Sequence, residues 1–259
     1  MTKTATILKG FSPIGLDEIN SVKFMSRIDT KYLFSVSRLP ELLLNASSLY
    51  QVLEIDHQRE FAYKTIYFDT PELLFYNQHI TGKLSRYKVR VRTYETNGLT
   101  FLEVKHKSNK GRTSKTRIRK EEGDQHDDQK SQAFLQELVS ADALSLKPVI
   151  TTGFTRMTLT NLAASERITI DYDLSFNNFK GDGSVLPFLA IAEIKRDKTN
   201  GHSPFVQQLK KMGLHQSGFS KYCVGMALLN NDLKKNIIKP KLLMLNKIKD
   251  EYNRNGVIR

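Results

Sequence analysis

The chain is poor in the residues that cross-link, coordinate zinc or span membranes. Cys223 is its only cysteine, so no intrachain disulfide forms, and the apolar stretch from Tyr222 to Leu229 predicts a buried, inert thiol. A reducing, cytoplasmic compartment is the expectation. The six histidines, at positions 57, 79, 106, 126, 202 and 215, never take zinc-ligand spacing. No run of about 18 apolar residues occurs, and Met1 to Phe11 lacks the apolar core of a signal peptide, which predicts a soluble protein. Neither a GxxxxGK[ST] loop nor a GxGxxG turn is present, so no nucleotide is held in the Walker or Rossmann manner. Internal repeats and low-complexity linkers are absent too.

Acidic residues are also scarce. With 27 Asp and Glu against 40 Lys and Arg, the formal net charge is +13, which implies a polyanionic partner: nucleic acid, an anionic membrane or condensed phosphate. The 39% of hydrophobic residues suffices for a core in one large β-rich domain or two small ones.

What is present is an alternation. Arg86, Lys88, Arg90 and Arg92 occupy every second position of one segment, Glu103, Lys105 and Lys107 of another, Lys115, Arg117 and Arg119 of a third, and Glu193 and Lys195 of a fourth. Strand side chains point to opposite faces with period two, so each segment carries a charged row backed by residues such as Val89, Val91, Leu102 and Val104, which need apolar cover. A single row of this kind reads as a solvated face. Four rows of one bias suggest strands that close into a barrel, with cations converging on an interior that requires a bound polyanion.

The remaining elements follow from pattern and punctuation. Strands are expected at 27–34, 61–69, 86–94, 99–107, 113–121, 149–158, 167–173 and 188–195, with Asn97-Gly98 and Lys110-Gly111 as turns. Ser12-Pro13 reads as a helix start, Arg38 to Tyr50 as an amphipathic helix, and Thr70-Pro71 as the cap of a helix over 72–78. Helices are also expected at 133–139, 204–212 and 220–229, and Glu121 to Gln129 as a polar loop. Beyond Asn231, lysines interleave with Ile and Leu; this tail, residues 232–259, reads as a frayed or packed terminal helix or as a weak membrane or protein contact.

Ser220-Lys221, a hydroxyl and an ammonium at a helix start, suits an anion better than it suits a catalytic dyad. Rows such as Lys88, Arg90 and Arg92 suit consecutive phosphates, and phosphoryl transfer needs charge neutralisation and alignment above all. A divalent cation needs oxygen ligands. Glu193, Glu103, Asp171 and Asp29 are embedded among these bases, and each is equally read as the ion-pair partner of a neighbour.

Taken in order, Arg27-x-Asp29-x-Lys31-Tyr32, Tyr67-Phe68-Asp69, the row from Arg86 to Arg92, Phe101-Leu-Glu-Val-Lys105, Arg156, Arg167-x-x-x-Asp171, Glu193-x-Lys195 and Phe219-Ser-Lys-Tyr222 resemble a VTC domain over roughly residues 20 to 230. This is the polyphosphate polymerase module within the triphosphate tunnel metalloenzymes. The resemblance implies an α+β fold, mainly an antiparallel eight-stranded β-tunnel with flanking helices, over residues 1–231. It implies a metal-dependent transfer of the ATP γ-phosphoryl to inorganic phosphate or polyphosphate. Carried over, Lys31, Arg90, Arg92, Lys105, Ser220 and Lys221 are the catalytic set, and Lys115, Arg156 and Arg167 bind phosphate. Glu193 matches the ligand of Mn²⁺ or Mg²⁺. Lys88, Arg117, Arg119 and Lys195 join the phosphate contacts by strand parity, and Arg86 and Tyr222 are grouped with them. Hydrolytic members of the superfamily that the chain resembles typically begin with a Glu-x-Glu-x-Lys motif; Arg27 and Asp29 stand in the places of those glutamates here, which weakens the case for two-metal hydrolysis. A tripolyphosphatase or nucleoside triphosphatase and a non-catalytic polyphosphate-binding module are the rivals. Specific nucleic-acid binding is not expected, because the aromatics alternate away from the bases.

Overall fold

The computed structural model describes residues 3–21, 27–121, 128–139, 145–198 and 202–256. Most of the polar loop expected from Glu121 to Gln129 lies outside them, as does the Arg27 side chain. In chain order the elements are α1 (Lys3–Leu8), β1 (Ser12–Ile14), α2 (Leu16–Ser21), β2 (Arg27–Ser35), a 3₁₀ turn (Val36–Arg38), α3 (Leu39–Ala46), β3 (Gln51–Leu53) and β4 (Phe61–Asp69). There follow α4 (Leu74–Ile80), β5 (Arg86–Tyr94), β6 (Thr100–Lys107), β7 (Thr113–Lys120), α5 (Gln129–Leu138), β8 (Lys147–Asn161) and β9 (Glu166–Asn177). The chain ends with β10 (Gly183–Leu186), β11 (Leu189–Asp197), α6 (Pro204–Lys211), α7 (Lys221–Leu229) and α8 (Lys239–Gly256).

Eight strands form one antiparallel path, β2-β11-β9-β8-β4-β5-β6-β7. Three short strands lie off it: β10 extends β9, and β1 pairs parallel with β3, which joins β8. The path curls on itself. Lys105 on β6 lies within electrostatic range of Lys31 on β2 and Glu193 on β11, although β6 and β2 are separated by five strands along the sheet.

Period-two alternation gives the two faces different chemistry. Outside β5 and β6, Val89, Val91, Leu102 and Val104 pack on Phe134 and Leu135 of α5. Outside β2, β9 and β11, Phe34, Ile168, Ile170, Ala192 and Ile194 pack on Leu39, Leu42 and Leu43 of α3 and Phe205 of α6. Burying one such aliphatic side chain is worth about 2 kcal/mol, so these two layers hold the wall in shape. At one end of β4, Tyr67 joins Ile150, Phe176, Ile191 and the buried residues of α7 and α8. At its other end Phe61 packs with Ile14, Ile19 and Leu53.

Local chemistry moved several boundaries. Ser12-Pro13 does not start a helix: Ser12–Ile14 is the strand β1, paired with Gln51–Leu53, and α2 begins at Leu16. Thr70-Pro71 caps α4 only in part: the Thr70 hydroxyl accepts from Leu74 N at 3.2 Å, but the helix begins at Leu74, not at residue 72. Its N-cap is Leu73 in left-handed geometry, φ 56°, and the Asp69 carboxylate accepts from the backbone N–H groups of Thr70, Phe75 and Tyr76 at 2.8, 2.8 and 2.9 Å. A carboxylate reaching back from a strand thus satisfies the next two helix donors beyond the one that the Thr70 hydroxyl takes. The helix expected at 133–139 starts at Gln129 because Asp128 caps it, accepting from Ser131 N at 2.9 Å. The basic segment beyond Asn231 is a packed helix, with Ile238, Leu245 and Ile248 buried in the core beside α7. None of the helices among the described residues is long and apolar enough to cross a membrane.

Candidate active site

Register places most of the predicted cations on one inward face. Lys31 of β2 opposes Glu193 of β11, which opposes Thr169 of β9. Asp29, Lys195 and Arg167 form the next row. Across the path, Lys88 opposes Lys105, which opposes Lys115, and Arg90 opposes Glu103, which opposes Arg117. Arg156 of β8 opposes Asp171 of β9.

Three carboxylates organise these bases. Glu103, 1% exposed, accepts from Arg90 Nε at 2.7 Å and pairs with Lys115. Burial works against its charge, but Arg90, Arg92 and Lys115 hold it down at about 2. Asp171 takes both Nε and Nη2 of Arg156, at 2.6 and 2.9 Å, and also Lys221 Nζ. Burial opposes that charge as well, and Arg156 and Lys221 depress its pKa well below the ordinary value. Glu193 accepts from Lys31 Nζ at 3.0 Å, and Lys195 and Lys31 together pull it down to about 2 against the effect of burial.

The cations nevertheless exceed these partners, and their own protonation shows it. Arg92 is lowered to about 10 by burial, Arg90 and Arg156. Lys195 falls to about 8, first through burial and then through Arg156 and Arg167, against the pull of Glu193. Lys88, Lys105 and Lys221 are lowered too, chiefly by burial. Groups held below their ordinary values by burial and like charge are stabilised by an anion that enters among them.

The start of α7 reaches into this surface. Ser220 is its N-cap, accepting from Cys223 N at 3.3 Å and from Lys88 Nζ at 3.0 Å. Lys221 lies over the Phe154 ring, 4.3 Å from its centroid. Gly225 permits the seating: a Cβ there would lie 2.4 Å from Phe176 Cδ1 and 2.6 Å from Ile150 Cδ1, so only glycine lets α7 approach the sheet this closely.

Not every expected contact faces the cavity. Tyr222 is buried, its hydroxyl donates to Asp69 and its ring stacks on Tyr67 at 5.2 Å, so it braces α7 against β4 and α4 rather than meeting a phosphate. Arg119 is 59% exposed and pairs with Glu121, and Arg86 donates to the Lys83 carbonyl at 2.8 Å; both mark the periphery. Arg117 lies over the Phe101 ring at 4.5 Å. Cys223 is buried as expected, and burial pushes its thiol up.

Inward aromatics are the part that the cation rows did not reveal. Tyr63 stacks on Phe154 at 5.2 Å, and the guanidinium groups of Arg92 and Arg156 lie 5.8 and 5.1 Å from the Tyr63 centroid. Tyr67 lies among Arg90, Arg92, Lys88 and Lys221, which outweigh burial and lower its pKa. The period-two signal that placed the cations also puts Tyr63, Thr65 and Tyr67 on one face of β4.

As for a cation, no group of three or more His, Cys, Asp or Glu suited to hold a metal occurs among the described residues. Glu193 supplies one carboxylate. That donor set fits a small divalent ion which takes its other oxygens from phosphate and water, and it does not fit an all-protein cage.

Residues 26–230 match the VTC domain family. No curated protein matches the chain. Among solved structures, a putative adenylate cyclase from Bacillus halodurans is similar at TM-score 0.51 and 16% identity, over 75% of this chain and 94% of that one. A putative adenylate cyclase from Vibrio parahaemolyticus is similar at TM-score 0.49 and 15% identity, over 79% and 99%. For a putative adenylyl cyclase from Hippeastrum, described as having a dominant triphosphatase activity, the values are 0.49 and 14%, over 78% and 95%. With that match running from the first strand of the eight-stranded path to the end of α7, the chain belongs to the VTC domain family and carries its alternating cations on the inner face of a tunnel fold.

Proposed function

We propose that the protein is a metal-dependent polyphosphate polymerase, transferring the γ-phosphoryl of ATP to inorganic phosphate or to a polyphosphate end. The observation that carries this reading is the single inward surface on which Lys31, Lys88, Arg90, Arg92, Lys105 and Lys195 exceed the carboxylates among them. Glu103 and Asp171 fix Arg90 and Arg156, and Arg92 lies beside the Tyr63 ring, so these groups meet successive phosphates with little reorganisation. Lys221 and Ser220, fixed at the start of α7, align the reacting end. Mn²⁺ or Mg²⁺ would be held by Glu193 and by phosphate oxygens, and would supply Lewis-acid neutralisation of the transferring group.

The paucity of carboxylate donors supports transfer over hydrolysis. A water activated between two metals needs several such donors, whereas an acceptor phosphate is already a nucleophile. Incubation of purified protein with ATP and Mn²⁺ or Mg²⁺, followed by gel electrophoresis and ³¹P spectroscopy, tests the reading. Chains are expected. Phosphate release without chains would make the protein a triphosphatase, and tight polyphosphate binding without turnover would make it a binding module. Glu193→Gln is expected to lower turnover at least about 100-fold with the fold retained; unchanged turnover would remove Glu193 from the metal.

A further inference from the structure

Beside the tunnel lies a cavity of about 400 Å³ that borrows Lys31 and Lys88 from the strands and adds Lys241 from α8. Lys241 lies beyond residue 230, where the family match ends. We propose that this cavity is a second phosphate subsite, which holds the accepting phosphate next to the tunnel, and that Lys241 is one of its binding residues. The proposal rests on the polymerase reading and names where its acceptor waits.

Two of the three ammonium groups bond one short segment, residues 217–220, and the Lys31 backbone anchors it. Lys241 Nζ donates to Ser217 Oγ at 2.5 Å, and Lys88 Nζ to Ser220 Oγ at 3.0 Å. Ser217 N in turn donates to the Lys31 carbonyl at 2.8 Å, which ties that segment to β2. Charge in the lining is one-sided. Among the described residues of the lining, Asp29 is the only carboxylate. His79 is neutral, lowered to about 3 by burial, Lys88 and Arg86, and burial keeps the Cys223 thiol protonated. Glu193 reaches Lys31 from the tunnel side. Ile80, Val224 and Ile238 supply apolar walls, which strengthen the attraction between an anion and the ammonium groups.

The chemistry selects a small, highly charged oxyanion. Lysine ammonium groups and serine hydroxyls donate without a fixed plane, so they serve the tetrahedral oxygens of a phosphate. The volume is that of a small-ligand pocket. Occupation needs no rearrangement of the wall, only release of the two Lys–Ser hydrogen bonds.

Calorimetry separates the two sites. Orthophosphate is titrated into protein saturated with tripolyphosphate, which fills the tunnel. Wild-type protein is expected to bind it. Lys241→Gln is expected to weaken that binding about tenfold, the effect of one charge-assisted hydrogen bond, with tripolyphosphate affinity unchanged. Lys241→Arg restores it, and Lys105→Gln does the reverse, weakening tripolyphosphate alone. Equal orthophosphate affinity in wild-type and Lys241→Gln protein overturns the subsite, as does a lack of orthophosphate binding to the saturated wild type. Should wild-type protein not bind tripolyphosphate at all, the tunnel reading fails, and the same titration without tripolyphosphate still decides the cavity.

Discussion

Arg156 and Asp171 face each other across the β8–β9 pair and close a two-bond ion pair, with Lys221 on the same carboxylate. Asp171 is only 4% exposed, and removing one member of a buried pair strands the charge it neutralised, at a cost of about 3–5 kcal/mol. Asp171→Asn therefore lowers urea stability by roughly that amount at pH 7. Tripolyphosphate supplies the missing negative charge. Its addition raises Tm more in the variant than in the wild type, and an equal rise in both would show that phosphate does not reach Arg156.

Lys195 gives the tunnel a pH signature. Its folded value of about 8 lies below the ordinary 10.5, so between these limits the unfolded chain binds more protons than the folded one. Stability from this group accordingly rises with pH across that window, and the burden on the fold is fully present below about pH 8. Lys195→Met relieves it: Tm at pH 7 rises, by roughly 3 °C for each kcal/mol relieved, and the increase between pH 8 and 10 flattens. Affinity for tripolyphosphate moves the other way, falling about tenfold. Thermal unfolding at pH 7 and 9.5, with calorimetry on the same variant, checks both signs; an unchanged Tm profile contradicts the assignment.

Glu103 contributes with the opposite sign. Its depressed value of about 2 against an ordinary 4.5 means that it stabilises the fold above about pH 4.5 and that this contribution is lost as pH falls toward 2. Glu103→Gln is thus expected to destabilise at pH 7 and to make little difference near pH 2. Acid titration of urea stability reads the difference, and parallel curves for variant and wild type would show that Arg90 and Lys115 do not depend on it.

The rows of cations were legible because a two-residue period is written in the sequence itself: Arg86 to Arg92 is strand β5 with its parity as expected, and Asn97-Gly98 turns it into β6. Lys120, one position past Arg119, shows the same rule from the other side, since it points outward and is buried against Asp128 and Ser131. What periodicity does not encode is which distant groups meet. Glu193 and Lys31 are 162 residues apart in sequence, and Asp69 and Tyr222 are 153 apart. Strands of three or four residues, such as β1, β3 and β10, are too short to show a period and form because a neighbour offers an edge. The Ser12-Pro13 pair misled for a related reason: a cap signal is local, and a strand edge overrode it, while Thr70 shares the capping of α4 with the Asp69 carboxylate and the helix starts two residues later than expected.

Tyr222 separates bracing from binding. The Asp69 carboxylate holds the Thr70 N–H, two N–H groups at the start of α4 and the Tyr222 hydroxyl from α7, and burial with Asp69 alongside pushes that phenol far up. Tyr222→Phe leaves one lone pair of a buried carboxylate without its donor, a loss of about 1–3 kcal/mol. Stability is expected to fall by that amount while the affinity for tripolyphosphate stays within about twofold. A large loss of affinity without loss of stability would return Tyr222 to the phosphate contacts.

Gly225 links the packing of α7 to the chemistry at its first turn. A methyl group at this position meets Phe176 and Ile150 well inside contact distance, and both side chains are fully buried, so they have little room to give. Overpacking of this kind costs about 1–3 kcal/mol, and the relief open to the protein is for α7 to shift away from the sheet. That shift carries Ser220 from Lys88 and Lys221 from Asp171, whose hydrogen bonds demand alignment to within a few tenths of an ångström. Gly225→Ala is therefore expected to lower turnover by more than its stability loss accounts for, about tenfold or beyond at temperatures where it remains folded. Met226→Ala, which trims a buried side chain of the same helix without pushing it, is the control: it loses stability through a cavity and keeps its turnover. If both variants lose activity only in proportion to unfolded protein, the position of α7 does not set the geometry of the site.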